Sequence, residues 1–165
     1  MNLFVSKLCF SGKPENYAYI DSYISRSAQP KKEDFKWLKD NGVTDVFNFR
    51  TMRKPEIDFD EEKVVKSLGM NYHSIPSVTS RPKKKNVERF LNEINEVKLR
   101  GGKAHIHCKA GADRTGMYAF IYKMKMGLGT LKSNKEEWLA RGMHYHYYPN
   151  LMSWAEHFVK RFILK

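Results

Sequence analysis

The residues best suited to chemistry fall in one stretch, His105-Ile106-His107-Cys108-Lys109-Ala110-Gly111-Ala112-Asp113-Arg114-Thr115-Gly116. A short apolar run with Ala104 and Ile106 leads into Cys108. Arg114 follows after five residues, then Thr115-Gly116 and a helical pattern from Met117 through Met126. A glycine-containing turn between a strand and a helix can aim its N–H groups inward at an anion, and the helix adds the positive end of its dipole. Such a field also favours a thiolate over a thiol. An arginine at the helix start can grip two phosphoryl oxygens with one planar fork. The pattern predicts a phosphate held over a sulfur nucleophile, with Lys109, Ala110, Gly111, Ala112 and Gly116 supplying the cradle.

Strands and helices must place that loop. Tyr17-Ala18-Tyr19-Ile20 and Tyr23-Ile24-Ser25-Arg26 read as short strands around Asp21-Ser22, with Gln29-Pro30 stopping the second. Phe35, Trp37 and Leu38 mark an amphipathic helix from Lys31 to the Asn41-Gly42 stop. Val43 to Phe49 reads as a buried strand, Arg50 to Phe59 as a loop broken by Pro55, and Asp60 to Leu68 as a short helix ending at Gly69. Tyr72 to Ile75 is the next strand, and Pro76 to Lys85 a long polar loop. Val87, Phe90, Leu91, Ile94 and Val97 recur at helical spacing. Gly101-Gly102 ends that helix, and Lys103 to His107 forms the strand that feeds Cys108. Two further helices are expected, Lys132 to Arg141 and Asn150 to Ile163.

Single strands alternating with helices require crossover connections. The expected fold is therefore α/β, one domain over residues 1–165, with a mostly parallel central sheet of about four to five strands flanked by helices. In such sheets ligands sit beyond the carboxyl ends of the strands, where Cys108 falls.

The chain has 165 residues and a net charge of +12, so an anionic partner is expected: a phosphorylated protein, an inositol phosphate, nucleic acid or an acidic membrane surface. Only two cysteines, Cys9 and Cys108, are present, which excludes a disulfide scaffold and fits a reducing compartment. Lys7 interrupts the partly apolar start, so neither a signal peptide nor a transmembrane helix is expected, and the default location is the cytoplasm.

The spacing His107-Cys108-(five residues)-Arg114-Thr115-Gly116 resembles the signature loop of the cysteine-dependent protein tyrosine phosphatase superfamily. Its filling is most similar to small bacterial-type dual-specificity-like members. Ser25-Arg26-Ser27-Ala28-Gln29-Pro30 and the strand ending Asn48-Phe49-Arg50 are similar to segments that those proteins carry in the same order. The resemblance covers roughly Ile24 to Met126. It implies in-line attack by Cys108, a phosphocysteine intermediate, and stabilisation of the equatorial oxygens by Arg114 and the loop amides. It further implies a Thr115 hydroxyl that hydrogen-bonds the sulfur, a structural His107, Arg26 and Arg50 near the pocket floor, and no cofactor or metal.

One feature departs from the family. Its members place an aspartic general acid in a loop before the Cys, and the matching stretch here, Ile75-Pro76-Ser77-Val78-Thr79-Ser80-Arg81-Pro82, holds no carboxylate. Between Asp60 and Asp113 the acids fall only on expected helices, which leaves Asp113 as the candidate proton donor; its alternatives are to orient Arg114 or to cap the next helix. General acids contribute roughly 10²–10⁴ in rate, and an aryl phosphate tolerates their loss best.

The expected function is a phosphotyrosine or dual-specificity phosphatase. The alternatives are a phosphatase of phosphoinositides, inositol phosphates or RNA 5′ ends, and a phosphate-binding module without turnover. His105, His107 and Cys108 do not make a metal site, because the histidines share one face of a strand and Cys108 points the other way. Arg81-Pro82-Lys83-Lys84-Lys85 should overhang the site, either as a solvated basic loop or as a substrate-recruiting one. Met143-His144-Tyr145-His146-Tyr147-Tyr148-Pro149 should be a packed connector, with Trp138, Trp154 and Phe158 in the core. Cys9 has no expected role.

Overall fold

The computed structural model describes residues 12–51 and 56–165. Cys9, Pro55 and the chain's first residues lie outside them. Five strands form one sheet: β1 (Ala18–Tyr19), β2 (Ile24–Ser27), β3 (Asp45–Asn48), β4 (Asn71–Ser74) and β5 (Ala104–His107). Their spatial order is β1-β2-β5-β3-β4, antiparallel at β1–β2 and parallel elsewhere. The mostly parallel α/β sheet is as expected.

The helices are α1 (Asp34–Asp40), α2 (Glu61–Ser67), α3 (Lys84–Leu99), α4 (Arg114–Lys125), α5 (Leu131–Ala140) and α6 (Pro149–Phe158). β2, β3 and β5 are buried along their whole length, as strands covered on both faces must be. Successive side chains go to opposite faces. Val46 joins Phe35, Leu38, Val43, Val65 and Met70 beneath α1 and α2, whereas Phe47 joins Phe49, Phe90, Ile106 and Tyr118 beneath α3 and α4.

Boundaries differ from the sequence reading where local hydrogen bonds decide them. α1 begins at Asp34, because the Asp34 carboxylate first closes a turn on the Lys31 N–H (2.9 Å). The Asn150–Ile163 helix divides into α6 and a π-helical turn over Val159–Ile163. α4 begins at Arg114, three residues before the apolar pattern, so the helix end stands directly behind the loop. Eight consecutive residues of α4, Thr115 to Tyr122, are buried.

Two corrections concern the polar segments. Within the connector, Met143 is buried, but the aromatic rings of Tyr145 (46% exposed) and Tyr147 (79% exposed) are not. Trp138 and Phe158 are core residues, while Trp154 is half-buried. Within the basic run, Lys84 belongs to α3 and turns toward the C-terminal segment, 4.3 Å over the Phe162 ring.

Candidate active site

β2, β5 and β3 end level with one another: Ser27 and Asn48 both stand opposite His107. The next residue is Cys108, a free thiol only 2% exposed. The backbone of both flanks grips the loop as it leaves the sheet. The Phe49 N–H donates to the His107 carbonyl (3.0 Å), and the Gln29 N–H to that of Lys109 (3.0 Å).

The loop's next three carbonyls are also held from outside. Asn16 Nδ2 donates to Ala110 (3.2 Å), Arg26 Nη2 to Gly111 (2.8 Å) and Trp138 Nε1 to Ala112 (2.9 Å). With four successive carbonyls turned outward, the N–H groups of Lys109 to Asp113 donate to no described residue. Together with the orphan N–H groups at the start of α4, they form a nest for an anion.

Two glycines make this closure possible. Gly111 has φ +68°, and a Cβ there would stand 2.5 Å from the Ser27–Ala28 backbone. At Gly116 a Cβ would meet Trp138 Nε1 at 2.1 Å, so only glycine lets the indole reach the Ala112 carbonyl across α4.

Behind the loop a chain of polar groups runs from the buried His107 out to the exposed Glu56. His107 Nε2 lies 2.5 Å from Glu61 Oε1, with Nδ1 3.3 Å from the Cys108 carbonyl. Glu61 Oε2 accepts from Gln29 Nε2 (2.7 Å), and Gln29 Oε1 accepts from Arg50 Nη1 (2.9 Å). Arg50 then pairs with Glu56. The Arg50 pairing holds the Glu56 carboxyl below its usual range, with smaller help from the Lys109 and Arg114 charges. Burial lowers the Arg26 guanidinium to about 10. Sequence reasoning missed Glu61, Glu56 and Asn16; the Asp60 cap on the Lys63 N–H that sets Glu61 in the first turn of α2 was the available signal.

One layer below, His105 is fully buried with Nδ1 at 2.8 Å from Ser25 Oγ and Nε2 at 2.7 Å from Ser27 Oγ. Burial, with the neighbouring His107, pushes it well below the usual histidine range. Both rings are thus committed to protein partners, and among the described residues no cluster of metal-ligating side chains occurs.

Arg114 is half-buried, and its Nη1 donates to the Ser77 carbonyl at 3.4 Å. Ser77 occupies the loop that lacks a carboxylate; its hydroxyl is bound to Tyr118 Oη (2.6 Å). Burial raises the Tyr118 phenol to about 12. Thr115 Oγ1 is buried and has no partner among the described residues, so the expected bond to sulfur is not formed here.

Asp113 does neither of the structural jobs considered for it. It makes no side-chain cap on α4 and no bond to Arg114, because both oxygens are taken by His144. Oδ1 accepts from the His144 N–H and Oδ2 faces its Nδ1, each at 2.8 Å. Lys109, within the loop, is exposed, and so are Arg81, Lys83 and Lys85.

Residues 9–148 match the family model described as DSP-PTPase phosphatase fused to NAD+ kinase. No curated protein sequence matches. Among solved structures, the DUF442 protein of Shewanella putrefaciens CN-32 is 25% identical, covering 87% of this chain and 90% of that one at a TM-score of 0.73. P. aeruginosa TpbA is 21% identical over 87% and 84% (TM-score 0.71), and its Cys-to-Ser form was solved with pTyr. The catalytic core of the S. cerevisiae PP-IP phosphatase SIW14 is 17% identical over 90% and 85% (TM-score 0.68). The last two establish likeness of fold.

Proposed function

As a member of the DSP-PTPase family of cysteine-based phosphatases, to which its sequence match assigns this chain, the protein is one in which we propose hydrolysis of phosphotyrosine or dual-specificity phosphoprotein substrates through a phosphocysteine on Cys108. The observation that carries this reading is the loop itself, with four carbonyls pinned outward and five amides left to face an anion beside a buried thiol.

In this account the substrate phosphate seats in the amide nest, and Arg114 exchanges the long Ser77 contact for two phosphoryl oxygens. Cys108 Sγ attacks phosphorus in line; the S–P bond forms as the bond to the leaving oxygen breaks. The leaving oxygen takes a proton from the Asp113 end of the loop. Water then attacks phosphorus, the S–P bond breaks, and the Thr115 hydroxyl, buried and unpartnered among the described residues, donates to the departing sulfur. The fixed amides stabilise the charge on the equatorial oxygens without reorganising.

A second reading rests on basic side chains. Exposed Lys109, Arg81, Lys83 and Lys85 suit a polyphosphorylated small molecule, and the fold is shared with a PP-IP phosphatase. One panel separates the two: phosphotyrosine peptide, inositol polyphosphate, RNA 5′-phosphate and NADP at fixed ionic strength, with Cys108→Ser as control. A preference for the peptide, with vanadate inhibition and no effect of a chelator, supports the first reading. Preference for a polyanion replaces it with the second. Binding without turnover of any substrate would reduce the site to a phosphate-binding module.

A further inference from the structure

We propose that His144 is the proton donor to the leaving oxygen and that Asp113 is the residue that orients it. The inference rests on the phosphocysteine reading above. In the loop from Ile75 to Pro82 no side chain can supply the proton: there is no carboxylate, and the Ser77 hydroxyl is bound to Tyr118. Asp113 is the acidic residue inside the phosphate loop, yet both its oxygens are occupied by one other residue. The His144 N–H fills Oδ1 and its ring Nδ1 faces Oδ2, both at 2.8 Å.

Those two contacts fix backbone and ring together. A carboxylate on Nδ1 fixes the orientation of the ring and leaves Nε2 to give and take a proton. Here Nε2 bonds to no described residue, and the His144 side chain is 50% exposed while that of Asp113 is only 12% exposed. The protected carboxylate has the position of the orienter and the solvent-facing ring that of the proton carrier. Tyr147, the nearest aromatic neighbour, lies 6.3 Å from the ring.

Placement agrees with this division. Asp113 directly precedes Arg114, so the ring stands beside the end of the loop that grips the phosphoryl group. In-line transfer puts the leaving oxygen opposite the sulfur, at the solvent mouth. As the P–O bond breaks, the Nε2 proton passes to that oxygen. The neutral ring then accepts a proton from the water that attacks the phosphocysteine, and the starting state returns.

The test compares kcat/KM for p-nitrophenyl phosphate and phenyl phosphate, whose leaving groups differ in their need for a proton. His144→Asn keeps an amide donor for Asp113 but carries no transferable proton. It is expected to lose about 10²-fold on phenyl phosphate and about 10-fold or less on the nitrophenyl ester. Asp113→Asn should lose in the same order but less steeply, and thermal melting should confirm that both variants fold. Equal losses on the two esters, or undiminished phenyl phosphate hydrolysis by His144→Asn, overturn the proposal. So does a leaving-group effect confined to Asp113→Asn, which would make Asp113 itself the donor. Failure of the underlying reading looks different: Cys108→Ser would keep turnover, or wild-type protein would give no burst of nitrophenolate. A normal burst in His144→Asn with no leaving-group effect removes only the proton donor.

Discussion

Two histidine–carboxylate pairs flank the phosphate loop, and they differ in the property that decides their use. His107–Glu61 is sealed, with side chains 0% and 1% exposed. His144–Asp113 opens to solvent at the histidine. A sealed pair exchanges nothing and can only hold shape; the second oxygen of Glu61 accepts from Gln29, which itself holds the loop through the Lys109 carbonyl. The open pair holds one nitrogen and leaves the other free, so the same two residue types serve a fixed frame on one side and proton traffic on the other.

Breaking the sealed pair should cost the most stability. Glu61→Ala leaves the buried His107 ring without its carboxylate partner, a loss of about 3 kcal/mol that a denaturant titration would read. Asp113→Ala at the open pair should cost about 1 kcal/mol, since water can replace the contact at His144. Equal losses would erase the distinction drawn between the pairs.

Two other histidines sharpen it by pH. His105 stays neutral when folded because burial outweighs all else, so only the unfolded chain takes its proton. Its contribution is complete above the unfolded value of about 6.5 and falls by about 1.4 kcal/mol per pH unit below it. His73 behaves oppositely. Burial lowers it, but hydrogen bonds to Asp45 and Glu93 more than compensate and its value is raised. Its stabilisation is present below about 6.5 and fades as pH rises through the folded value. Urea midpoints between pH 5 and 9 should lose their acid limb in His105→Asn and their alkaline decline in His73→Gln.

An effect as small as that of Asp113→Ala should come from Tyr118→Phe. It frees the Ser77 hydroxyl and should cost about 1 kcal/mol, with a weaker KM for any aryl phosphate because the loop facing Arg114 loosens. An unchanged KM would detach that loop from the arginine.

Why the loop could be read from sequence and its two flanking pairs could not follows from chain distance. Cys108, Arg114 and His107 are contiguous with a strand and a helix start, so their geometry is local and the spacing carries it. The sheet was legible for the same reason, since each short strand is bounded by local turn signals such as Gln29-Pro30, Asn41-Gly42, Gly69 and Gly101-Gly102. His144 reaches Asp113 across 31 residues and Glu61 reaches His107 across 46. No periodicity marks such contacts. The Met143–Tyr148 connector looked apolar enough to pack, but only Met143 and Tyr148 meet the core, while His144 is bound to Asp113 and Tyr145 and Tyr147 are exposed. Thr115 was read as a sulfur partner, yet its buried hydroxyl has no partner among the described residues.

The claim that everything else depends on is that the thiol in the amide nest carries the phosphoryl group. Rapid acid quenching of the protein with p-nitrophenyl phosphate, followed by peptide mass mapping, tests it directly. The account predicts a phosphate adduct on the peptide containing Cys108, formed within the first turnover and absent from Cys108→Ser, which should also lose on the order of 10⁴–10⁶ in kcat. Turnover without an adduct, or an adduct on another residue, would contradict it.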